Sequence, residues 1–201
     1  MIAEADARVL EHGSTVALVA GGHVTPLAHD TLKERRITVV REGTDVDAEV
    51  LAPPSQIRTV AIASDHTGVA FKQALVEHLR GRGVAVHDLG TDSTEPVDYP
   101  DTAASVAVQV ARGEAEAGIA IDGTGLGSTI AANKVDGARA AMCSNRTLAR
   151  YARQHAGANV LALGSTLVTV EEALEIVETF IGTPMKEPRY IRRLSKIRDL
   201  E

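Results

Sequence analysis

The feature that most constrains the fold of this chain is an alternation of short apolar, β-branched runs with longer stretches whose apolar residues recur at helical spacing. Residues 59–63 form the first such run. Residues 69–80 then place Val69, Phe71, Ala74, Leu75, His78 and Leu79 on one helical face. Gly81-Arg82-Gly83 ends that helix, because glycine takes the left-handed conformation that follows a helix C-terminus, and residues 84–89 read as the second strand. A loop covers 90–100. The alternation continues as helix 103–111, strand 117–121, short helix 128–134, strand 138–143, helix 147–155, strand 160–163 and helix 170–181, with a basic tail at 186–198. Five strands separated by helices predict a doubly wound, mainly parallel five-stranded α/β sheet with helices on both faces, spanning 59–201.

Upstream, residues 15–20 and 37–41 read as two strands flanking a helix that Thr25 caps and Pro26 begins. Residues 1–42 are thus expected to form a small βαβ-like extension, with Leu27, Leu32 and Ile37 roughly on one side. Such a unit buries little by itself, so docking on the main domain, pairing with another copy and recruitment to a partner are all open to it. Residues 43–58, with three acids before Pro53-Pro54, read as a linker.

Composition narrows the function. A formal charge of −6 disfavours a broad electrostatic grip on nucleic acid or anionic lipid. Any anion should be small and locally held. With Cys143 as the single cysteine, no internal disulfide or cysteine-based metal cage is expected. No apolar run reaches the ~18 residues of a spanning helix, and residues 1–12 are acidic rather than signal-like, so a cytoplasmic location is expected.

The strand at 117–121 runs into Asp122-Gly123-Thr124-Gly125-Leu126-Gly127 and then a helix. Such a turn aims backbone N–H groups and a helix N-terminus at one point, which suits a phosphate or a developing oxyanion. The glycine spacing is neither the dinucleotide fingerprint nor a Walker loop. A tight turn without a ligand fits the glycines equally well. Asp122, at the strand end where ligands bind in open α/β sheets, reads either as a base or as a capping acid. Asp65 and His66, after the first strand, share that edge if the strands are parallel; a pure capping role is the alternative. Asn133 reads as a C-terminal cap, His155 as a histidine at a polar helix end, and Arg189, Arg192 and Arg193 as either an anion site or a solvated helix face.

Taken in order, Ala63-Ser64-Asp65-His66-Thr67-Gly68 with Lys72, Asp88-Leu89-Gly90-Thr91, Val97-Asp98-Tyr99-Pro100-Asp101, residues 118–127, Ile130-Ala131-Ala132-Asn133-Lys134, Gly137-Ala138-Arg139-Ala140-Ala141, Ala158-Asn159-Val160-Leu161 and Leu163-Gly164 resemble the ribose-5-phosphate isomerase B family, related to the galactose-6-phosphate isomerase subunits. The resemblance implies a Rossmann-like fold, a homodimer or homotetramer with active sites at the subunit interface, and neither metal nor organic cofactor. It implies aldose–ketose isomerisation of a sugar phosphate of the ribose 5-phosphate type through an enediolate. By that resemblance Gly123, Gly125 and Gly127 with Thr124 hold the enediolate, Asp65 touches sugar hydroxyls, and His155 assists ring opening. Asn133 belongs to the substrate site. His66, Arg139, Arg189 and Arg193 take the phosphate, the last two from a neighbouring subunit.

Two departures stand out. Asp122 occupies the position where many members carry a cysteine base, so burial is expected to raise its pKa if it is to serve as that base. Ala156-Gly157 follows His155 where the family usually shows asparagine and a polar residue, which opens the specificity to a tetrose, another pentose or a hexose phosphate. A non-catalytic phosphosugar-binding sensor or partner subunit is the competing function. Residues 24–37 are similar to short segments of bacterial microcompartment-associated proteins, which makes such a location an expectation for the extension.

Overall fold

The computed structural model describes residues 1–19, 22–41 and 52–201. Two compact units divide the chain, Met1–Val50 and Leu51–Glu201.

In the first unit, α1 (Glu4–Val9), β1 (Thr15–Leu18), α2 (Pro26–Glu34) and β2 (Thr38–Arg41) build a βαβ motif preceded by a helix. The strands pair in parallel from Thr15 opposite Thr38, and Ile2 adds an isolated bridge to Val24. Thr25 caps α2 through its hydroxyl, which accepts from the Ala28 N–H at 3.3 Å. Ala7, Ala28, Leu32 and Ile37 form the small core. One expectation needs correction. Leu27 is 59% exposed, so the anticipated stripe is carried by Leu32 and Ile37 alone. The acidic start also folds into α1, whose Ala7 packs in that core. Ala20, Gly21 and residues 42–51, which include most of the expected linker, lie outside the described residues.

The second unit holds β3 (Thr59–Ser64), α3 (Val69–Gly81), β4 (Ala85–Asp88), α4 (Tyr99–Ala111), β5 (Ala117–Asp122), α5 (Leu126–Ala132), β6 (Ala140–Met142), α6 (Arg146–Ala156), β7 (Val160–Gly164), α7 (Val170–Gly182) and α8 (Pro188–Arg198). Its five strands are all parallel in the order β4-β3-β5-β7-β6, the Rossmann-like sheet that was expected. Strand alternation divides the core. Val60 and Ile62 face the layer of α3, α6 and α7 with Phe71, Leu75, Ile176 and Phe180. Ala61 and Ala63 face α4 and α5 with Val106, Ala107 and Ala132. The alanine face lets α4 come close, and at Gly118 a Cβ would stand 2.5 Å from Val106 Cγ1.

Residues 52–58, expected as linker, pack with this unit. Ile57 belongs to its core, and the Pro54 carbonyl accepts from Nη2 of buried Arg153 at 3.0 Å. No helix of the described residues is long and apolar enough to cross a membrane. The strand order reverses between β3 and β5, the switch point at which the carboxyl ends of the strands open a crevice.

Candidate active site

At that crevice Asp65 directly follows β3, and its N–H donates to the Ile121 carbonyl at 3.0 Å. Its Oδ1 accepts from the Thr67 amide at 2.8 Å and the Thr67 hydroxyl at 2.6 Å, closing a one-turn 3-10 helix, His66–Gly68. His66 Nδ1 accepts the Val97 N–H at 3.3 Å, which leaves the proton of the neutral ring on Nε2.

The glycine loop is organised from within. Asp122 is 4% exposed. Its Oδ1 accepts from the amides of Thr124 at 2.6 Å and Gly125 at 2.5 Å, and its Oδ2 from the amide of Ser128 at 2.8 Å. The carboxylate thus sits where the loop and the N-terminus of α5 direct their N–H groups, as helix-terminus electrostatics favour. Burial alone raises its pKa, but hydrogen bonding from Ser128, Thr124 and Gly125 outweighs that and holds the carboxyl below its ordinary value. The expectation of a raised pKa is therefore corrected, and two of the amides expected for an oxyanion, those of Thr124 and Gly125, already serve Asp122 together with that of Ser128. Those of Gly123 and Gly127 are not taken by these contacts.

Two of the three glycines have close neighbours, backbone at Gly125 and a movable side chain at Gly127. Gly125 has φ 76°, and a Cβ there would stand 3.0 Å from the Leu163 carbonyl carbon. A Cβ on Gly127 would meet the Tyr99 ring at 2.5 Å. The end of β7 closes this side: the amides of Ser165 and Thr166 donate to the carbonyls of Asp122 and Gly123 at 2.9 and 3.1 Å. Helix α5 begins at Leu126 instead of residue 128, and in its first turn the Ser128 N–H donates to the Asp122 carboxylate.

The remaining predicted residues gather at the other end of the sheet. Arg139 directly precedes β6, and its Nε donates to the Gly157 carbonyl at 2.9 Å. Burial lowers its pKa, against the raising influence of Glu201. His155, in the last turn of α6, is stacked between Tyr151 and Tyr190, with ring centroids 4.6 and 4.5 Å away. The guanidinium carbons of Arg189 and Arg193 lie 4.7 and 5.5 Å from the Tyr190 ring centre, so one tyrosine gathers both arginines beside the imidazole. Asn133 is the C-cap of α5, as its position suggested, and its side chain also binds Ala140: its Nδ2 donates to the carbonyl at 2.9 Å and its Oδ1 accepts from the amide at 2.8 Å. Both halves of the amide help fasten α5 to β6.

Asp65, His66, Asp122, Gly123, Thr124, Gly125 and Gly127 therefore converge at the carboxyl ends of the strands. Arg139, His155, Arg189 and Arg193 converge at the amino ends. The residue pattern missed Tyr151 and Tyr190; the placement of Tyr190 between Arg189 and Arg193 at helical spacing was the one available signal. It also missed Ser165 and Thr166, which nothing in the local pattern marks. Among the described residues, no group of three or more His, Cys, Asp or Glu side chains is arranged to hold a metal ion.

The parallel sheet with its switch-point crevice defines a doubly wound α/β protein. The chain belongs to the ribose/galactose isomerase family, whose model matches residues 60–197. It is 44% identical over 145 residues to the Escherichia coli (strain K12) protein named ribose-5-phosphate isomerase B, covering 72% of this chain and 97% of that one. Among solved structures, it resembles ribose-5-phosphate isomerase B from Clostridium thermocellum, with 45% identity, a TM-score of 0.69 and coverage of 71% and 96% of the two chains. The Mycoplasma genitalium ribose-5-phosphate isomerase B, solved with bound ribulose-5-phosphate, gives 42% identity, a TM-score of 0.68 and coverage of 71% and 95%. The expectation of an aldose–ketose isomerase agrees with these relatives.

Proposed function

We propose that the chain interconverts the aldose and ketose forms of a sugar phosphate, of the ribose 5-phosphate and ribulose 5-phosphate type, in a site completed by a second copy. The observation that carries this reading is the separation of the two residue groups. Arg139 stands level with the amino end of β7, and Asp122 five residues along the parallel strands, a rise of about 16 Å. A phosphorylated sugar does not bridge that length, so the loop of one copy must meet the arginines of another. A two-fold dimer satisfies both sites at once.

In such a site, an edge nitrogen of His155 opens the sugar ring, since both faces of its imidazole are stacked. Asp122 takes the C2 proton of the open aldose and returns it to C1, while the hydroxyl proton moves from O2 to O1 and the C=O shifts from C1 to C2. The enediolate charge falls to the Gly123 and Gly127 amides and the Thr124 hydroxyl. Asp65 receives sugar hydroxyls. The Nε2–H of His66 and the forks of Arg189 and Arg193 take the phosphate dianion.

A second reading draws on one specific observation, the lowered pKa of Asp122: a weak base among donors favours a phosphosugar-binding subunit without chemistry. One experiment separates these readings. Asp122→Asn and Arg189→Gln/Arg193→Gln proteins are prepared separately, then unfolded together and refolded, and solvent exchange of the C2 hydrogen of ribose 5-phosphate is followed. A shared catalytic site restores about a quarter of the natural exchange, because half the dimers are mixed and each rebuilds one of two sites. Exchange no better than that of the parents places the site within one chain, and binding without exchange by the natural protein selects the non-catalytic subunit.

A further inference from the structure

Lys72 lies outside the residues given roles above, yet it is completely buried, which is rare for a lysine unless it is paired. From the first turns of α3 its Nζ reaches Asp88 Oδ1 at 2.5 Å and Asp92 Oδ1 at 2.7 Å. These two carboxylates bracket the start of the loop that carries the chain from β4 to α4. Asp88 Oδ1 also accepts the Gly90 N–H at 3.1 Å, so a single oxygen ties the lysine to the turn. The turn is fastened to the end of β3, where the Ser64 N–H donates to the Gly90 carbonyl at 2.8 Å and the Thr91 N–H to the Ser64 carbonyl at 3.0 Å. Ser64 is followed by Asp65 and His66. At its far end the same loop delivers the Val97 N–H to His66 Nδ1 at 3.3 Å.

We propose that Lys72 is a positioning residue for His66: by clamping Asp88 and Asp92 it holds the 88–97 loop so that the Val97 amide keeps the His66 proton on Nε2, facing the ligand. The consequence for phosphate binding rests on the sugar-phosphate reading; the tautomer does not. An Nε2–H donor suits an anion, whereas an unprotonated Nε2 presents a lone pair to it. Loss of the clamp therefore weakens binding without removing a group that touches the reacting carbons.

The test measures His66 directly in the full chain, by long-range proton–nitrogen correlation with the signal assigned through its loss in His66→Gln. The natural protein is expected to show a protonated Nε2 and a bare Nδ1. Lys72→Met is expected to mix the two tautomers and to raise KM for ribose 5-phosphate about tenfold with kcat within about twofold, a split that marks lost binding. Should that protein not fold, Asp92→Asn serves. Asp92 is 76% exposed on its side chain, so its loss spares the core and is expected to produce a smaller shift in the same direction. A natural His66 protonated on Nδ1, or a tautomer unmoved in both variants while only thermal stability falls, overturns the proposal. A tautomer that shifts in a protein without affinity for ribose 5-phosphate supports the positioning role and removes the substrate reading instead.

Discussion

Asp122 concentrates the competing demands of the site in one side chain. As an internal anion it neutralises the N–H groups of its own loop, and as a base it must accept a proton while those groups oppose it. The sign of its stability effect follows from the lowered pKa. Its contribution is complete above the ordinary value of 3.8 and is lost as pH falls through the lower folded value. Asp122→Asn is therefore expected to flatten the acid side of the stability profile measured by thermal unfolding between pH 2 and 6. At neutral pH the same change leaves amides facing a donor and costs about 1–3 kcal/mol. Turnover is expected to fall by about 10²–10⁴ while sugar phosphate still binds. Unchanged turnover would show that the carboxylate only shapes the loop.

At the scale of elements, the site depends on close contact between the loop after β5 and the end of β7. A Cβ on Gly164 would stand 2.6 Å from the carbonyl of Thr124, which is backbone and has nowhere to go. A Cβ on Gly127 would meet the Tyr99 ring at 2.5 Å, but that tyrosine is 41% exposed and can swing aside. Gly164→Ala is expected to cost the 1–3 kcal/mol or so typical of overpacking, which lowers the melting temperature by roughly 2–4 °C for each kcal/mol. Gly127→Ala is expected to melt close to the natural protein. Equal losses in calorimetry would mean that the two strand ends do not depend on this contact.

At the scale of the molecule, the isomerase unit begins before its first strand. Arg153 is 1% exposed, and burial lowers its pKa to about 10. It donates to the carbonyls of Ala158 and Pro54, at 2.9 and 3.0 Å. A chain shortened to begin at Ala52 keeps both partners and is expected to retain C2 exchange if the extension takes no part in catalysis. A chain beginning at Gln56 loses the Pro54 carbonyl and is expected to be less stable by about 1–3 kcal/mol, because a buried donor is stranded. Comparable melting of the two shortened proteins would show that residues 52–55 contribute nothing.

The sequence by itself determined the succession of strands and helices along the chain, since apolar runs and the 3.6-residue period are local patterns and strands buried on both faces are apolar throughout. It also marked Asp65, His66, Asp122 and the loop glycines, because ligands of such sheets gather at strand ends. Tertiary structure decided what these residues do. Whether the loop amides serve a ligand or Asp122 depends on where one carboxylate points. Whether Asn133 meets substrate depends on how near Ala140 lies, and whether His155 and the arginines reach Asp122 depends on which end of the sheet each helix returns to. Those are distances between segments far apart along the chain, and local pattern carries no information about them.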